Sequence, residues 1–345
     1  MTADDYTELA ESRIHDTLVE HMAVVHPELE SRLAERYWQG STNNTDINVD
    51  PHHITNALRD LRNGGVIEWV TVTTRGGHEI KTIQLADRKG RGTKIDRAAA
   101  RKRLVYARYA GWAQGTKRHP QGLIGPAGET AVRTALIDSG ALQPAVPGFG
   151  ETSELLGVKL SGPLDSAGFI VPIVRGIPST PVTTIIEVKN IRSWIYPTST
   201  EVYQLLSKAV QLQTPNPEQL IVPILICRRA HVTTFWMAKQ LGFFIIAMNR
   251  QFTGDVENEA LLSVRNELHF NDLHAGTGPS LRVKERFQGT LPRHATASAE
   301  RWRKTSEDLG PTIRELRRAK NQLAHNRLMA RLRAESIARG DQGGW

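Results

Sequence analysis

The 345-residue sequence contains a single cysteine, Cys227. One cysteine can form neither an intramolecular disulfide nor a zinc site of the CxxC type, and its scarcity suits a reducing cytoplasm, where we expect this protein to reside. No run of about 18 apolar residues is present, so we expect no membrane-spanning helix and no membrane partner. The segment from Met1 to Asp5 is polar and acidic, and we expect no secretory signal there.

Sequence motifs of several enzyme classes are also missing. The chain has no GxxxxGK[ST] loop, no HExxH pair and no GxSxG around Ser166. These absences argue against a P-loop ATPase, a zincin protease and a serine hydrolase of the α/β type. We therefore expect no nucleotide cofactor.

What the sequence does have is an excess of positive charge. The formal net charge is +8, and a chain of this length is expected to form two or three domains. Two segments concentrate the basic residues, roughly 88–118 and 301–333. Such one-sided clusters favour contact with a polyanion, although solvated helix faces are the alternative explanation.

Residues 1–87 show the order helix, helix, helix, hairpin. In the third helix Asp50 and Pro51 mark the start and Gly64 the end, and a turn near Gly76 joins two β-like runs. This order resembles the winged helix-turn-helix superfamily. The resemblance implies that the third helix enters a DNA major groove, although a winged unit used only for protein contacts is the alternative. The side chains expected to contact DNA come from the outer face of this helix and from the basic linker at 88–120: His53, Asn56, Arg59, Arg62, Arg101, Lys102 and Arg103.

Residues 121–275 have a different rhythm, in which apolar strands alternate with helices. Continuous apolar runs such as Leu220–Cys227 predict strands that are covered on both faces. This part of the chain is therefore expected to be an α/β domain with a mixed sheet. Residues 276–345 are predicted to begin as a loop and to continue, after Gly310-Pro311, as one long basic helix over Thr312–Arg339.

One strand of this α/β region becomes charged at its carboxyl end. In Ile185–Asn190 the side chains of Glu187 and Lys189 share a face, because alternate residues of a strand point the same way. Asp165 lies ahead of the preceding strand, and Glu129 is expected to open the first helix of the domain. Two converging carboxylates suit Mg²⁺, and a neighbouring lysine can offset charge in a phosphoryl-transfer transition state. These groups are the ones that phosphodiester hydrolysis needs.

At these residues the chain resembles the PD-(D/E)xK nuclease superfamily, which includes type II restriction endonucleases. The matching positions, over roughly residues 121–250, are Glu129, Asp165, Glu187, Lys189 and Gln204. The resemblance implies a restriction-endonuclease-like core, Mg²⁺ held by Asp165 and Glu187, and cleavage that leaves a 5′ phosphate. The sequence departs from the strict pattern by one residue, since Leu164 separates Pro163 from Asp165. A Glu-x-Lys triplet alone is weak, since about one is expected by chance in a chain of this size.

Together these features predict an Mg²⁺-dependent endonuclease of duplex DNA, of the restriction type, acting as a homodimer. The fold class expected is α/β, with a winged-helix domain before the nuclease core and a basic helical region after it. Alternatives that stay open are a structure-specific nuclease, a DNA-binding regulator with an inactive core, and RNA as the substrate. Glu151 and Glu154 compete with Glu129 for its place in the site, and an ordinary ion pair could account for Glu187 and Lys189.

Overall fold

The computed structural model describes residues 2–35, 47–74, 77–116, 120–343 and 345. The helices are α1 (Ala3–His21), α2 (His26–Ala34), α3 (Pro51–Asn63), α4 (Gly92–Gln114), α5 (Ile124–Ser139), α6 (Thr200–Gln213), α7 (Val232–Leu241), α8 (Asn258–Leu268), α9 (Leu281–Gln288), α10 (Thr290–Arg318) and α11 (Gln322–Ala338). The longer strands are β1 (Ala23–Val25), β2 (Ile67–Thr73), β3 (Glu79–Leu85), β5 (Thr152–Leu155), β6 (Val158–Leu164), β7 (Ser166–Ile170), β10 (Val182–Lys189), β11 (Ile221–Cys227) and β12 (Phe244–Ala247). Two-residue strands complete the set: β4 (Gln143–Pro144), β8 (Ile173–Val174), β9 (Ile177–Pro178), β13 (Gln251–Phe252) and β14 (Leu273–His274).

The chain divides into two compact units, and each contains residues from two separate parts of the sequence. The N-terminal unit comprises Met1–Ile124 and Thr253–Gly276, and the sheet unit comprises Gly125–Phe252 and Thr277–Trp345. This division differs from the predicted domains 1–87, 88–120, 121–275 and 276–345. The reason is that helix packing joins segments that are distant in sequence, which a linear scan of composition does not detect.

The N-terminal unit begins with the element order that the sequence predicted, namely three helices followed by a hairpin. A short additional strand, β1, pairs with β3, so that an antiparallel sheet of order β1-β3-β2 forms. Helix α1 ends at His21, because Met22 adopts a positive φ of 64° and the chain turns into β1. Gly76 of the predicted turn lies outside the described residues, as do Lys117 and Arg118 of the first basic segment.

The predicted basic linker is a regular helix. Helix α4 packs against α8, β1 and β3, and its apolar side includes Val105 and Tyr109. Tyr109 makes an edge-to-face contact with Phe270, with ring centroids 5.0 Å apart. Burial of these side chains holds α4 within the N-terminal unit, so residues 92–114 are part of a folded core rather than a tether.

The sheet unit contains a mixed five-stranded sheet of order β12-β11-β10-β7-β4. Strands β10, β11 and β12 are parallel, whereas β7 runs antiparallel to β10 and β4 antiparallel to β7. The mixed α/β class predicted from the sequence is therefore confirmed. Every residue of β11 is buried, as its continuous apolar run required.

Helices cover both faces of this sheet. Ile185 belongs to a core on one face with side chains from α6 and α10, while Ile186 belongs to a core on the other with side chains from α5 and α9. Glu187 follows Ile186 on a strand, so its side chain emerges on the face that α6 covers. The alternation of β10 therefore places its acidic side chain beneath α6.

The C-terminal region is more helical than its sequence suggested. The predicted loop is wrong, because residues 281–288 form α9 and α10 begins at Thr290. The predicted single helix over Thr312–Arg339 is also wrong, because α10 continues through Gly310-Pro311 to Arg318 and α11 begins at Gln322. A proline inside a helix removes one hydrogen bond. Burial of Trp302 and Ile313 in the core of the sheet unit stabilises the helix in spite of this loss. No helix in the described part of the chain combines the length and apolarity needed to cross a membrane.

Candidate active site

The carboxyl end of β10 carries a buried acid beside a lysine. Glu187 Oε2 accepts a hydrogen bond from Lys189 Nζ at 3.1 Å. The Glu187 side chain is 3% exposed and that of Lys189 20% exposed. The two residues share a face of β10, as their spacing predicted. A carboxylate this deeply buried is costly to maintain unless cations or strong donors lie against it.

Asp165 reaches the same end of β10 from the position just before β7, the strand that pairs with β10. It occupies the single position between β6 and β7, and its Oδ2 accepts a hydrogen bond from the Val188 backbone N–H at 2.6 Å. Burial raises the pKa of Asp165 and the negative charge of Glu187 raises it further, while the Val188 hydrogen bond and nearby lysines oppose the shift. The structure therefore brings Asp165, Glu187 and Lys189 together, as the sequence predicted.

Glu129 lies near these groups but does not open its helix. Helix α5 begins at Ile124, since Gly125-Pro126 belongs to its first turn, where proline is tolerated. Glu129 Oε2 pairs with Arg133 at 3.3 Å, and Arg133 also donates to the Asp165 backbone carbonyl at 3.2 Å. Burial raises the pKa of Glu129, and the charge of Asp165 adds to that rise. Glu129 is thus part of the same electrostatic cluster.

A second lysine in the site was missed by the sequence analysis. Lys208 on α6 donates hydrogen bonds to Glu187 Oε1 and to the Pro163 carbonyl. Gln204, the residue expected from α6, is half-buried, and its side chain makes no hydrogen bond with another described residue. Lys208 lies four positions after Gln204 and therefore on the same helix face, so helical spacing was the signal that could have identified it.

Asn190 fixes the backbone just beyond Lys189. Its side chain donates to the Phe252 carbonyl at 2.7 Å and accepts from the Phe252 N–H at 3.2 Å, and the fully buried Gln251 donates to the Asn190 carbonyl at 3.0 Å. On the other side, α5 approaches so closely that a Cβ on Gly128 would lie 2.3 Å from Asn190 Cβ. These contacts restrict where β10 can end.

The donor set fits a divalent cation of the Mg²⁺ type. Asp165 uses one carboxylate oxygen for Val188, and its other oxygen accepts no hydrogen bond from a described residue. Buried carboxylates whose mutual repulsion raises a pKa are stabilised when a cation binds between them. Oxygen ligands of this kind are those that Mg²⁺ prefers. Asp165 and Glu187 would hold it, with Glu129 nearby.

The residues predicted to contact DNA from α3 divide into two groups. Arg59 and Arg62 are exposed and Asn56 is half-buried, so the outer face of α3 remains accessible within the N-terminal unit. The Arg62 guanidinium lies 5.2 Å from the ring centroid of Trp69 on β2. The prediction that His53 points outward is wrong. Its ring is 9% exposed and stacks on Tyr6, because its position on α3 faces α1.

The three basic residues predicted from α4 are also placed differently from one another. Arg101 is exposed and pairs with Glu267 at 2.7 Å, and Arg103 is half-buried. Lys102 is 6% exposed and donates to the fully buried Glu28 at 2.7 Å. The outward placement expected for Lys102 is wrong, because the helix period turns this position toward α2 and α8.

Comparisons of this chain with models of known protein families, with curated proteins and with solved structures found no match.

Proposed function

We propose that this protein is an Mg²⁺-dependent endonuclease that hydrolyses phosphodiester bonds in duplex DNA. The observation that carries the proposal is the convergence of Asp165, Glu187 and Lys189 at one end of β10, with Val188 linking the Asp165 carboxylate to the strand that bears the other two. Three groups from two chain segments, arranged around one point, are less expected by chance than the Glu-x-Lys triplet alone.

The site residues can be given roles in this reaction. Asp165 and Glu187 would bind the cation, and bound Mg²⁺ would supply polarisation of a phosphate oxygen. Lys189 offers an ammonium to the negative charge that develops on phosphorus as water attacks and the 3′ oxygen departs. Arg133 and Asn190 act by position, since Arg133 is bonded to the Asp165 carbonyl and Asn190 anchors the strand after Lys189.

The N-terminal unit supports duplex DNA as the substrate. Arg59 and Arg62 are exposed on α3, and Arg101 is exposed on α4. These cations belong to a chain of formal charge +8, and basic side chains on one helix face are the usual means of contacting phosphates. A reading unit that is separate from the cutting unit favours recognition of a defined sequence, as in restriction enzymes. Cutting both strands with one site per chain favours a homodimer.

A second function is favoured by one specific observation. Both carboxylate oxygens of Glu187 accept hydrogen bonds from lysines, one from Lys189 and one from Lys208. A nuclease-like core that binds no metal would also keep its buried carboxylate neutralised by lysines in this way. The alternative is therefore a DNA-binding regulator whose sheet unit serves as a scaffold.

A cleavage experiment separates the two functions. Wild type, Asp165→Ala and Lys189→Ala are incubated with Mg²⁺ and methylated or unmethylated phage DNA, and with a four-way junction and an RNA duplex of matched length. We expect discrete fragments of linear DNA from wild type alone. Cutting confined to the junction would indicate a structure-specific nuclease. Cutting by none of the three proteins, together with tight binding of one DNA site, would favour the regulator.

A further inference from the structure

The Glu187 carboxylate has two ammonium partners that reach it from different elements. Lys189 lies on the same strand, whereas Lys208 reaches across from α6. The side chains of Glu187 and Lys208 are 3% and 14% exposed, respectively. One of the two carboxylates expected to bind a cation is therefore already covered by protein cations on both oxygens.

The charges of the cluster nearly balance without a metal ion. Its ion pairs and close electrostatic contacts join four carboxylates and three cations: Glu129, Glu151, Asp165, Glu187, Arg133, Lys189 and Lys208. A divalent ion placed among them would leave an excess of positive charge beside the buried Glu187. Like charges at such distances repel strongly where water is scarce. Withdrawal of one protein cation would restore the balance when a divalent ion binds.

We propose that Lys208 is that cation: it occupies the place of the divalent ion at Glu187 and competes with it, so that Lys208 sets the affinity of the site for metal. This inference rests on the proposed function, because it takes Glu187 to be a metal ligand. Lys208 is then a positioning residue, since it acts through Glu187.

The geometry favours Lys208 over its neighbour for this role. Lys189 donates to Glu187 from the same strand, and the proposed reaction needs its ammonium at the phosphate. Lys208 extends on a flexible four-carbon chain from α6, and its Nζ already donates to a second acceptor, the Pro163 carbonyl. It can release Glu187 and keep a hydrogen bond. Gln211, one turn further along α6, contacts β6 instead, where it bonds Ser161 N–H and the Lys159 carbonyl.

Binding of Mn²⁺ alone to the full-length, DNA-free protein tests the proposal by calorimetry. The variants are Lys208→Met, Lys208→Arg and Asp165→Asn, with Gln211→Met as the matched control from the same helix. We expect Lys208→Met to lower the dissociation constant about tenfold, because one repelling charge is removed. Lys208→Arg keeps the charge and should stay at or above the wild-type value, and Gln211→Met should stay within about twofold of wild type.

The outcomes separate this inference from the proposed function. If wild type binds Mn²⁺ in an Asp165-dependent way and Lys208→Met binds no more tightly, Lys208 does not compete and the inference is wrong while the nuclease proposal stands. If Lys208→Met tightens binding but no DNA or RNA is cut by any variant, the inference stands and the nuclease proposal fails. Binding that is absent, or that persists in Asp165→Asn, would contradict both.

Discussion

Replacing Lys102 with methionine tests whether the basic helix α4 serves the fold or the nucleic acid at this position. Lys102 Nζ lies 2.7 Å from Glu28 Oε1 and also donates to the Glu267 carbonyl. Glu28 is fully buried, and its Oε2 has no hydrogen-bond partner among the described residues. Methionine matches the lysine stem in length and removes only the charge and the donors.

The expected loss follows from what remains around Glu28. Removing one partner of a buried ion pair costs about 3–5 kcal/mol, because a charge is left without compensation. Arg32 still donates to Glu28 at 2.9 Å, and its side chain is 18% exposed, so part of the compensation survives. We therefore expect Lys102→Met to lower the free energy of unfolding by about 3 kcal/mol. Adding Glu28→Gln should recover part of this loss, since contacting groups couple.

Urea unfolding of the full-length chain, followed by circular dichroism, measures the change. The control is Arg101→Met, one residue away, whose side chain is 59% exposed and should leave the midpoint near that of wild type. DNA binding gives the opposite pattern: the dependence of affinity on salt should weaken for Arg101→Met and stay unchanged for Lys102→Met. Unaltered unfolding of Lys102→Met together with a reduced salt dependence would refute the buried-pair argument.

Three further changes test the sheet unit. Asp165→Asn should stabilise the protein in EDTA relative to wild type as the pH rises above the ordinary range of aspartate. Burial and the charge of Glu187 raise the pKa of Asp165. The folded wild type therefore holds the Asp165 proton more tightly than the unfolded chain does, and it loses stability when Asp165 ionises. Melting curves from pH 4 to 8 measure the difference. Gly242→Ala should cost more than about 2 kcal/mol in urea unfolding, because φ is 86° and a Cβ would lie 2.4 Å from Trp302 N. Gly128→Ala should slow DNA cleavage at least about tenfold by displacing Asn190, as measured by single-turnover rates.

The two glycine changes each have a matched control in the same unit. Gly157→Ala shares a positive φ of 72° but meets no atom within 4 Å, so only the backbone cost of about 1–2 kcal/mol is expected. Gly125→Ala lies on the same helix as Gly128 and also meets no atom within 4 Å. Equal effects of Gly125→Ala and Gly128→Ala on cleavage would show that the contact with Asn190 is unimportant. A pH-independent difference between wild type and Asp165→Asn would contradict the proposed ionisation.

Much of the local structure could be read from the sequence because it depends on short-range patterns. The apolar helix period over Val232–Leu241, followed by Gly242, predicts a helix with the range that α7 has. The run Ile221–Cys227 is a buried strand because only coverage of both faces can accommodate seven such residues. Where the pattern was weak, as in residues 281–298, helices were missed. Their apolar positions have meaning only against the sheet that they cover.

The candidate site shows the same division. Alternation along β10 alone was enough to place Glu187 and Lys189 on one face, and the order of elements was enough to bring Asp165 near. Lys208 could not be assigned in this way, because its contact with Glu187 depends on how α6 lies over the sheet. Helical spacing puts Lys208 on the same face as Gln204, but it does not show that the partner of Lys208 is a residue twenty-one positions earlier in the chain.

The sequence determined the total charge well but the placement of individual charged side chains poorly. Composition established that the chain is basic and that its helix α4 is rich in cations. Only the tertiary structure decided that Lys102 is buried beside Glu28 while Arg101 faces solvent. The physical reason is that a local pattern specifies which face of a helix is apolar, whereas the partner of a buried charge comes from a distant segment. That partner exists only once the chain has folded.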